Sequence, residues 1–573
     1  MELRDRAPSR LTAREQRSRG AGPASSAARI LVAAIAGLAL AAPAATAASD
    51  LKQPTSQTEP PRFFKRSAVE VVRIADRARK VHQEARDRGH RLRGTAYTKG
   101  YGTWQVSYFD HGDEVVQVRL DDRTGAILEQ WRGPQVAWTM ARGYPGAFGR
   151  ELNSPVVWIP LCVLFLAPFV DPRRPFRLLH LDLLVMLGFG ASHFFFNKGE
   201  IGISAPLAYP VLIYLLVRVL IAAFRPSGRR GPLLPLAPVW LLAAGVLFLT
   251  AFRVGLNVTD SNVIDVGYAG VIGADRIVDG DGLYSDEGFE PDIEHGDTYG
   301  PVNYLLYVPF EQAVPWSGRW DDLPAAHGAA ILFDLLTMAG LYLLGVRVRD
   351  GPAGRALGTA LAYAWAAYPY TAFVLETNSN DSLVALFCVA ALLALTLPRA
   401  SAAARGAALA LGTAAKFVLL ALVPLFAGRS RRDVTVCMVA FLVVLAATVL
   451  PFLPDGGVRE IYDRTVGYQA GRPSPFSIWG QEPSLEWLQT TVKAATAGLA
   501  LLVAFVPRRR DPIRIAALGA AILIAVQLGM THWFYLYVVW FTPFLLLALF
   551  APERSPPEPA DTAVDRRRAA VAA

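Results

Sequence analysis

Residues 433–453 read DVTVCMVAFLVVLAATVLPFL, in which Asp433 is the only charged side chain, and three arginines lie directly before them at 429–432. An α-helix needs about 20 apolar residues to cross a bilayer. Arginine and lysine prefer the cytoplasmic ends of such helices. The stretch therefore predicts a transmembrane helix that starts on the cytoplasmic side.

The composition of the whole chain agrees with a membrane protein. Hydrophobic residues make up 53% of the 573 residues and charged residues only 18%, against about 25% charged in a soluble domain. This excludes a string of soluble domains and a disordered chain. The net charge of +9 predicts basic cytoplasmic loops and no nucleic-acid partner. Cys162, Cys388 and Cys437 lie in apolar runs, so no disulfide framework is expected.

Eleven apolar runs predict an all-α polytopic membrane protein. The predicted crossings are 153–171, 178–196, 203–224, 233–256, 325–346, 356–375, 381–398, 433–453, 485–506, 512–530 and 532–551. Basic clusters occur in every second connection, which predicts a cytoplasmic C-terminal tail at 554–573 and an exported N-terminal region.

Residues 406–428 are apolar but have basic residues on both sides. A single crossing would place one basic cluster outside, whereas a re-entrant pair of half-helices that turns near Thr413–Lys416 keeps both inside. Because non-helical backbone at membrane depth occurs only where it is buried or lines a cavity, the hairpin predicts a cavity. The alternative is one crossing here and a wrong assignment of a neighbouring one.

The N-terminal region contains the one sizeable soluble stretch. Residues 1–47 combine a basic start, a short apolar core and Ala45-Thr46-Ala47, which predicts a signal peptide or an uncleaved signal anchor. Within 48–150, a helix over 67–88 and strands at 104–108, 116–120 and 126–131 predict a small α+β domain. Its W-x-V, V-x-V and D-x-x-T-G pattern resembles PepSY-type exported domains; an unrelated small α+β domain is the alternative.

Three polar segments fall on the predicted outer face, at 257–298, 376–381 and 454–484. Asp265 stands out among their acids because Val263-Ile264 precede it and Val266-Gly267-Tyr268 follow it. A carboxylate in a partly apolar setting tends to have a raised pKa. Such a group is suited to take a proton from a hydroxyl as a general base.

Charged residues also fall within the predicted crossings. Asp182, Arg218, Arg253 and Asp334 would be costly there unless they are paired or line a cavity.

At this point the sequence resembles the GT-C class of polytopic glycosyltransferases, and within it the glycosyltransferase 87 group of actinobacteria. The resemblance rests on Asp265, Gly280-Asp281-Gly282-Leu283-Tyr284, Tyr299-Gly300-Pro301, Asn378/Asn380-Asp381, Lys416 and Arg472-Pro473-Ser474-Pro475-Phe476. It covers roughly residues 240–550 and implies a GT-C-like domain at 233–553, preceded by additional transmembrane helices at 151–232. The exported domain and the first crossings are not part of the common pattern.

The resemblance implies transfer of a sugar such as mannose from a polyprenyl-phosphate sugar to a glycolipid or glycan hydroxyl at the outer membrane face. It assigns Asp265 as the base, and Arg472 and Lys416 as cations for the departing phosphate. Asp297, Asn378, Asn380 and Asp381 are expected to bind sugar hydroxyls. Tyr299, Tyr304 and Tyr468 are expected to pack against substrate, with Gln469 beside them; Lys493 and His532 are weaker candidates. Neither a metal nor a cofactor is predicted, and membrane lipid surrounds the enzyme.

Simpler roles are open for several of these residues. Asp381 is a favoured residue for starting a helix, Lys416 is able to neutralise a helix end, and Arg472 is able to pair with Asp455 or Asp463. Two other functions also remain open. One is a transporter or flippase for a lipid-linked or small polar substrate; the other is a non-catalytic sensor that uses the exported domain.

Overall fold

The structure is a computed structural model that describes residues 51–143, 149–224, 237–284, 289, 295–318, 323–398, 401–507 and 511–551. The predicted signal segment 1–47 and the predicted tail 554–573 lie outside the described residues.

The N-terminal part is a small α+β domain, as the alternating apolar residues predict. Five antiparallel strands pair in sequence order: β1 Leu51–Lys52, β2 Arg93–Lys99, β3 Thr103–Asp110, β4 Asp113–Asp121 and β5 Ile127–Arg132. Trp104, Val106 and Tyr108 of β3 are fully buried in its core. Strands β3, β4 and β5 were predicted, but the two-residue β1 and the longer β2 were not; residues Arg93, Gly94, Thr95 and Lys99 of β2 lack a clear apolar alternation.

The single helix predicted over 67–88 is wrong, because the segment forms two helices, α1 Ala68–Ala75 and α2 Arg79–Arg88. Ala78 between them has an extended backbone, and Asp76 accepts a hydrogen bond from the Tyr108 hydroxyl at 2.9 Å. The break lets α1 pack on β2, β3 and β4 while α2 packs on β4 and β5. One straight helix would not follow the sheet in this way.

Helices make up nearly all of the remainder. They are α3 Pro134–Ala137, α4 Pro155–Leu166, α5 Leu178–Leu187, α6 Phe189–Phe196, α7 Ile201–Phe224, α8 Val239–Asp260, α9 Asp265–Asp279, α10 Pro301–Leu305, α11 Val308–Ala313, α12 Pro324–Val348, α13 Gly351–Ala367, α14 Pro369–Glu376, α15 Asp381–Leu395, α16 Ser401–Ala415, α17 Val423–Phe426, α18 Arg431–Val449, α19 Gly457–Tyr462, α20 Tyr468–Gly471, α21 Ile478–Gln481, α22 Glu486–Leu502, α23 Pro512–Gly529 and α24 Val538–Phe550. Short 3₁₀ turns occupy Thr139–Arg142, Arg150–Asn153, Phe417–Leu422, Leu450–Phe452, Pro483–Leu485 and Tyr535–Tyr537, and a π turn occupies Asp463–Gly467.

Six helical segments of the described chain are long and apolar enough to cross a membrane. They are Leu178–Phe196, Ile201–Phe224, Val239–Asp260, Pro324–Val348, Arg431–Phe452 and Pro512–Gly529. The most apolar window of Arg431–Phe452 is only 11% buried in the protein, which is the exposure expected of a helix that faces lipid. Each of the eleven predicted crossings coincides with helix, but the number eleven stays a prediction.

The segment 406–428 folds back on itself at Lys416; that it is a re-entrant pair of half-helices stays a prediction. Helix α16 ends at Ala415, Lys416 has an extended backbone, and the chain continues as the 3₁₀ turn Phe417–Leu422. The guanidinium of Arg405 then lies 3.3 Å from the place that a Cβ on Gly428 would occupy. Because the two ends of the segment meet, Lys416 sits at the tip of a hairpin. Its depth in a membrane stays a prediction.

The charged residues within the predicted crossings are paired. Arg218 donates to Asp182 at 2.9 Å, and Arg253 donates to Asp334 at 2.7 Å. Each member of these pairs thus has the partner that a charge in an apolar bundle requires. Both pairs lie away from the cavity described below, so their role is structural.

Candidate functional site

A cavity of about 1070 Å³ lies where the predicted outer segments, the hairpin tip and the end of the N-terminal domain meet. Its walls come from parts of 137–140, 262–266, 298–299, 416–418, 465–472 and 529–537, with Asp381, Lys493, Thr496, Val526 and Trp540. The fold therefore collects side chains from all three polar segments that the sequence singled out.

Asp265 is the first residue of α9 and is exposed to the cavity. The preceding backbone is tied to the end of α14, since the amides of Asn262 and Ile264 donate to the carbonyls of Glu376 and Thr377. One turn into α9, a Cβ on Gly267 would lie 2.4 Å from the Asn378 carbonyl oxygen. The missing side chain permits this close approach, which fixes where Asp265 starts its helix.

The surroundings of Asp265 raise the affinity of its carboxyl group for a proton above that of an ordinary carboxyl. Protein encloses the cavity around it, and this desolvation raises its pKa above the ordinary value of 3.8. The charges of Arg472 and Lys416 and a hydrogen bond from the Val266 amide act in the opposite direction. Among the described residues its carboxylate has no ion-pair partner within 4 Å, so it is available to a bound molecule.

Lys416 projects from the hairpin tip into a cage of three aromatic rings. Its ammonium lies 5.4 Å from the centroid of Tyr299, 5.5 Å from that of Tyr537 and 5.1 Å from that of Trp540. Such contacts are each worth roughly 0.5–2 kcal/mol. The cage holds the charge at the cavity wall, which favours a specific role over the alternative of a lysine that only neutralises a helix end.

Asp381 is fully buried beneath this ammonium. Its Oδ1 accepts from Lys416 Nζ at 2.6 Å and from Trp540 Nε1 at 2.6 Å, and its Oδ2 accepts from the Ser379 hydroxyl. It is the first helical residue of α15 but makes no capping bond there. The structure thus directs its carboxylate to Lys416, and this arrangement favours a positioning role over sugar binding.

Arg472 is half-buried and borders the cavity. Its guanidinium lies 4.9 Å from the Trp138 ring centroid and 5.8 Å from that of Tyr468. Neither Asp455 nor Asp463 pairs with it among the described residues; Asp463 instead lies near Arg459, at 3.9 Å. The loop-holding alternative therefore has no support, and its N–H groups are available to an anion.

Tyr299 lies in a short stretch of chain that crosses the tip of the hairpin. A Cβ on the neighbouring Gly300 would lie 2.1 Å from the Ala414 carbonyl oxygen, so only glycine allows this contact. The Tyr284 hydroxyl donates to the Tyr299 carbonyl at 2.7 Å, and Tyr304 is fully buried behind it. Tyr284 and Tyr304 thus support the backbone around Tyr299, whereas the ring of Tyr299 borders the cavity.

The two asparagines are used inside the protein. Asn378 is buried, with a positive φ of 50°, and its amide bonds to Asn257, Ser261 and the Asn262 carbonyl. Asn380 is also buried; it donates to Asn303 at 2.8 Å and accepts from Lys416 at 3.1 Å. Neither lines the cavity, so their expected sugar contacts stay predictions that this arrangement does not favour.

Asp297, Tyr468 and Gln469 behave differently from one another. Asp297 is buried and accepts from Arg464 at 3.0 Å, which ties the loop before Tyr299 to the π turn. Tyr468 stacks at 4.1 Å on His295 and supports Arg472 from one side. Gln469 lines the cavity directly, so it is the polar side chain of this trio that a substrate in the cavity would meet.

Several cavity residues were not predicted from the sequence. Tyr537 and Trp540 lie in an apolar run that was predicted only as a crossing, and Trp138 lies near the end of the predicted domain 48–150, beyond its last strand. The weaker candidates Lys493 and His532 do border the cavity. The ring of His532 packs against Trp138 and Phe476, and its Nδ1 is hydrogen-bonded to the Ser474 hydroxyl at 2.9 Å.

Residues 298–554 match the family described as Glycosyltransferase family 87. The match indicates a membrane glycosyltransferase. It contains Tyr299, Asp381, Lys416 and Arg472, and it begins after Asp265.

A weaker similarity is to the "Probable potassium transport system protein Kup 1" of Ralstonia nicotianae. The two are 23% identical over 227 residues, which are 37% of this chain and 35% of that protein. The chain thus spans about a third of the length of this curated relative. The PepSY-type resemblance of the N-terminal domain has no counterpart among these similarities.

Proposed function

We propose that the chain is an integral-membrane glycosyltransferase that moves a sugar from a polyprenyl-phosphate sugar to a hydroxyl of a glycolipid or glycan. The observation that carries this proposal is one cavity in which Asp265, a carboxylate that forms no ion pair with any described residue, shares the electrostatic field of Lys416 and Arg472. We place this cavity at the extracytoplasmic face of the cell membrane, with the C-terminal tail in the cytoplasm.

In the proposed reaction the acceptor oxygen attacks the anomeric carbon of the donor sugar. The bond between that carbon and the phosphate oxygen breaks, and polyprenyl phosphate leaves with the bonding electrons. Asp265 takes the proton of the acceptor hydroxyl. Its raised pKa suits this step, because a base is most effective when its pKa approaches the working pH.

The departing phosphate gains negative charge, which cations at the cavity wall stabilise. Arg472 is the first candidate, since its N–H edges are open and a guanidinium grips phosphate with two parallel hydrogen bonds. Lys416 already donates to Asn380 and Asp381 and has one N–H left. Its charge is also partly offset by Asp381, so we assign it the smaller contribution.

The size and the lining of the cavity are suited to holding the sugar donor and the acceptor together. Its volume of about 1070 Å³ slightly exceeds the usual range for ligand pockets, roughly 300–1,000 Å³. Tyr299, Tyr537 and Trp540 offer ring faces to a sugar, and Val526 and Met530 offer an apolar wall to the first prenyl units.

The decisive experiment replaces Asp265 by asparagine and measures transfer from radiolabelled polyprenyl-phosphate mannose in membranes. Loss of a general base reduces the rate by about 10²- to 10⁴-fold. Asp279→Asn is the matched control, because Asp279 is an exposed acid at the opposite end of the same helix. Normal transfer by Asp265→Asn, at equal expression, would remove the assigned base.

A transporter is the second candidate, favoured by the similarity to the Ralstonia protein. Reconstituted vesicles distinguish it: a transporter moves potassium or a labelled lipid-linked sugar across the bilayer without chemical change. A glycosyltransferase forms a new glycosidic bond, which mass spectrometry of the product detects.

A further inference from the structure

Residues 134–142, which we call the connector, follow the last strand of the N-terminal domain and lead to the membrane helices. This connector forms part of the cavity wall. Residues 137–140 line the cavity, and Trp138 is the aromatic residue among these four. Its ring centroid lies 5.3 Å from that of Phe476 and 5.5 Å from that of His532. Trp138 lies outside the residues that match the glycosyltransferase family, whereas both partners lie within them.

Trp138 also packs on the cation that the proposed mechanism needs most. The Arg472 guanidinium contacts Trp138 at 4.9 Å and Tyr468 at 5.8 Å. Aromatic rings that contact a guanidinium restrain its flat group and leave its N–H edges available. Removal of Trp138 would leave Arg472 with one aromatic contact and a choice of rotamers.

The connector is held on both of its sides. Arg142 donates to the Gln135 and Val136 carbonyls and to the Gln117 side chain of β4, at 2.9–3.1 Å. Gln135 in turn donates to the Gly199 carbonyl at 2.8 Å, beyond α6. The sheet of the N-terminal domain and the membrane helices thus fix Trp138 together.

We propose that the N-terminal domain completes the donor site, with Trp138 as a positioning residue that holds Arg472 in the orientation that binds the donor phosphate. This inference rests on the proposed function. It gives the domain a part in the reaction itself, whereas a free-standing sensor domain would need no side chain inside the cavity.

The test compares steady-state kinetics of Trp138→Ala with those of the intact chain. One cation–π contact at a partly buried site corresponds to roughly a 5- to 30-fold effect. We expect the KM for polyprenyl-phosphate mannose to rise by that factor, while the KM for the acceptor changes less than about twofold. Trp138→Phe keeps a ring over Arg472 and should restore most of the donor affinity.

Tyr101→Ala is the control, because Tyr101 is 95% exposed on the same domain and its removal should leave both constants unchanged. An unchanged donor KM in Trp138→Ala, or an equal rise for donor and acceptor, would overturn the proposal.

A binding measurement separates this proposal from the proposed function. The purified full chain is titrated with undecaprenyl phosphate, and the shift in its melting temperature is recorded for wild type, Arg472→Ala and Trp138→Ala. Equal loss of the shift in both variants supports the inference even if no sugar transfer is seen. The inference is refuted if Trp138→Ala shows the full wild-type shift in melting temperature. It is also refuted if the wild-type protein shows no shift.

Discussion

Asp381→Asn is predicted to destabilise the protein through Lys416. The substitution keeps the shape of the side chain and an oxygen for Trp540 Nε1, but it removes the negative charge that faces Lys416 Nζ at 2.6 Å. The ammonium then retains Asn380 and three aromatic rings as partners.

The expected size follows from the burial of the pair. The Asp381 side chain is 1% exposed and that of Lys416 is 14% exposed. Loss of one partner from a buried pair costs about 3–5 kcal/mol, and the aromatic cage moves the expectation to the lower end, about 3 kcal/mol. If Asp381 only started a helix, its replacement by asparagine would lower the free energy of unfolding by about 0.3–1 kcal/mol. The two explanations therefore differ by a measurable amount.

Melting temperatures of the purified variants provide the assay. At about 2 °C per kcal/mol for a large domain, Asp381→Asn should melt roughly 6 °C lower than wild type. The double variant Asp381→Asn/Lys416→Met removes both charges and should recover most of this loss, because an absent pair costs far less than a broken one. Sugar transfer should stay low in the double variant, since Lys416 is gone.

A decrease in melting temperature of no more than 2 °C in Asp381→Asn would refute this explanation. So would a double variant whose decrease equals the sum of the decreases in Asp381→Asn and Lys416→Met, since additive effects mean that the two residues do not interact.

Two further outcomes are expected. Sugar transfer should fall as pH drops through the raised pKa of Asp265, because protonation removes the base; a rate that stays flat down to pH 4 contradicts the assignment. Gly300→Ala should destabilise by about 1–3 kcal/mol, since its Cβ would lie 2.1 Å from the Ala414 oxygen; Gly498→Ala, which meets nothing within 4 Å, is the control.

The helices were predictable because their signal is local. The composition of each apolar run of about 20 residues is enough to indicate that the run is buried or faces lipid. Each of the eleven runs coincides with helix. The re-entrant hairpin was inferred for a similar reason, because the basic residues around 405 and 429 restrict where both ends of the segment can lie. Arg405 lies beside Gly428 in the structure, and the place of the segment in a membrane stays a prediction.

The site was only partly predictable, because its pairing is not local. Trp540 Nε1 and Asp381 are hydrogen-bonded across 159 residues of sequence, and an indole in an apolar run carries no local sign of that bond. Trp138 likewise lies near the end of the N-terminal domain and meets Arg472 only in the folded protein. The sequence therefore indicates which polar groups are unusual, while the structure separates those that border the cavity from those that support it.

The two cations of the cavity differ in a way that connects donor binding to the base. Lys416 shares its charge with Asp381, whereas Arg472 has no carboxylate partner among the described residues and lowers the pKa of Asp265 through its charge. A phosphate bound to Arg472 would offset that charge, so the pKa of Asp265 would rise once the donor is in place. The base would then be strongest when the sugar it serves is present, and weaker in the free enzyme, where a strong base would only hold a proton.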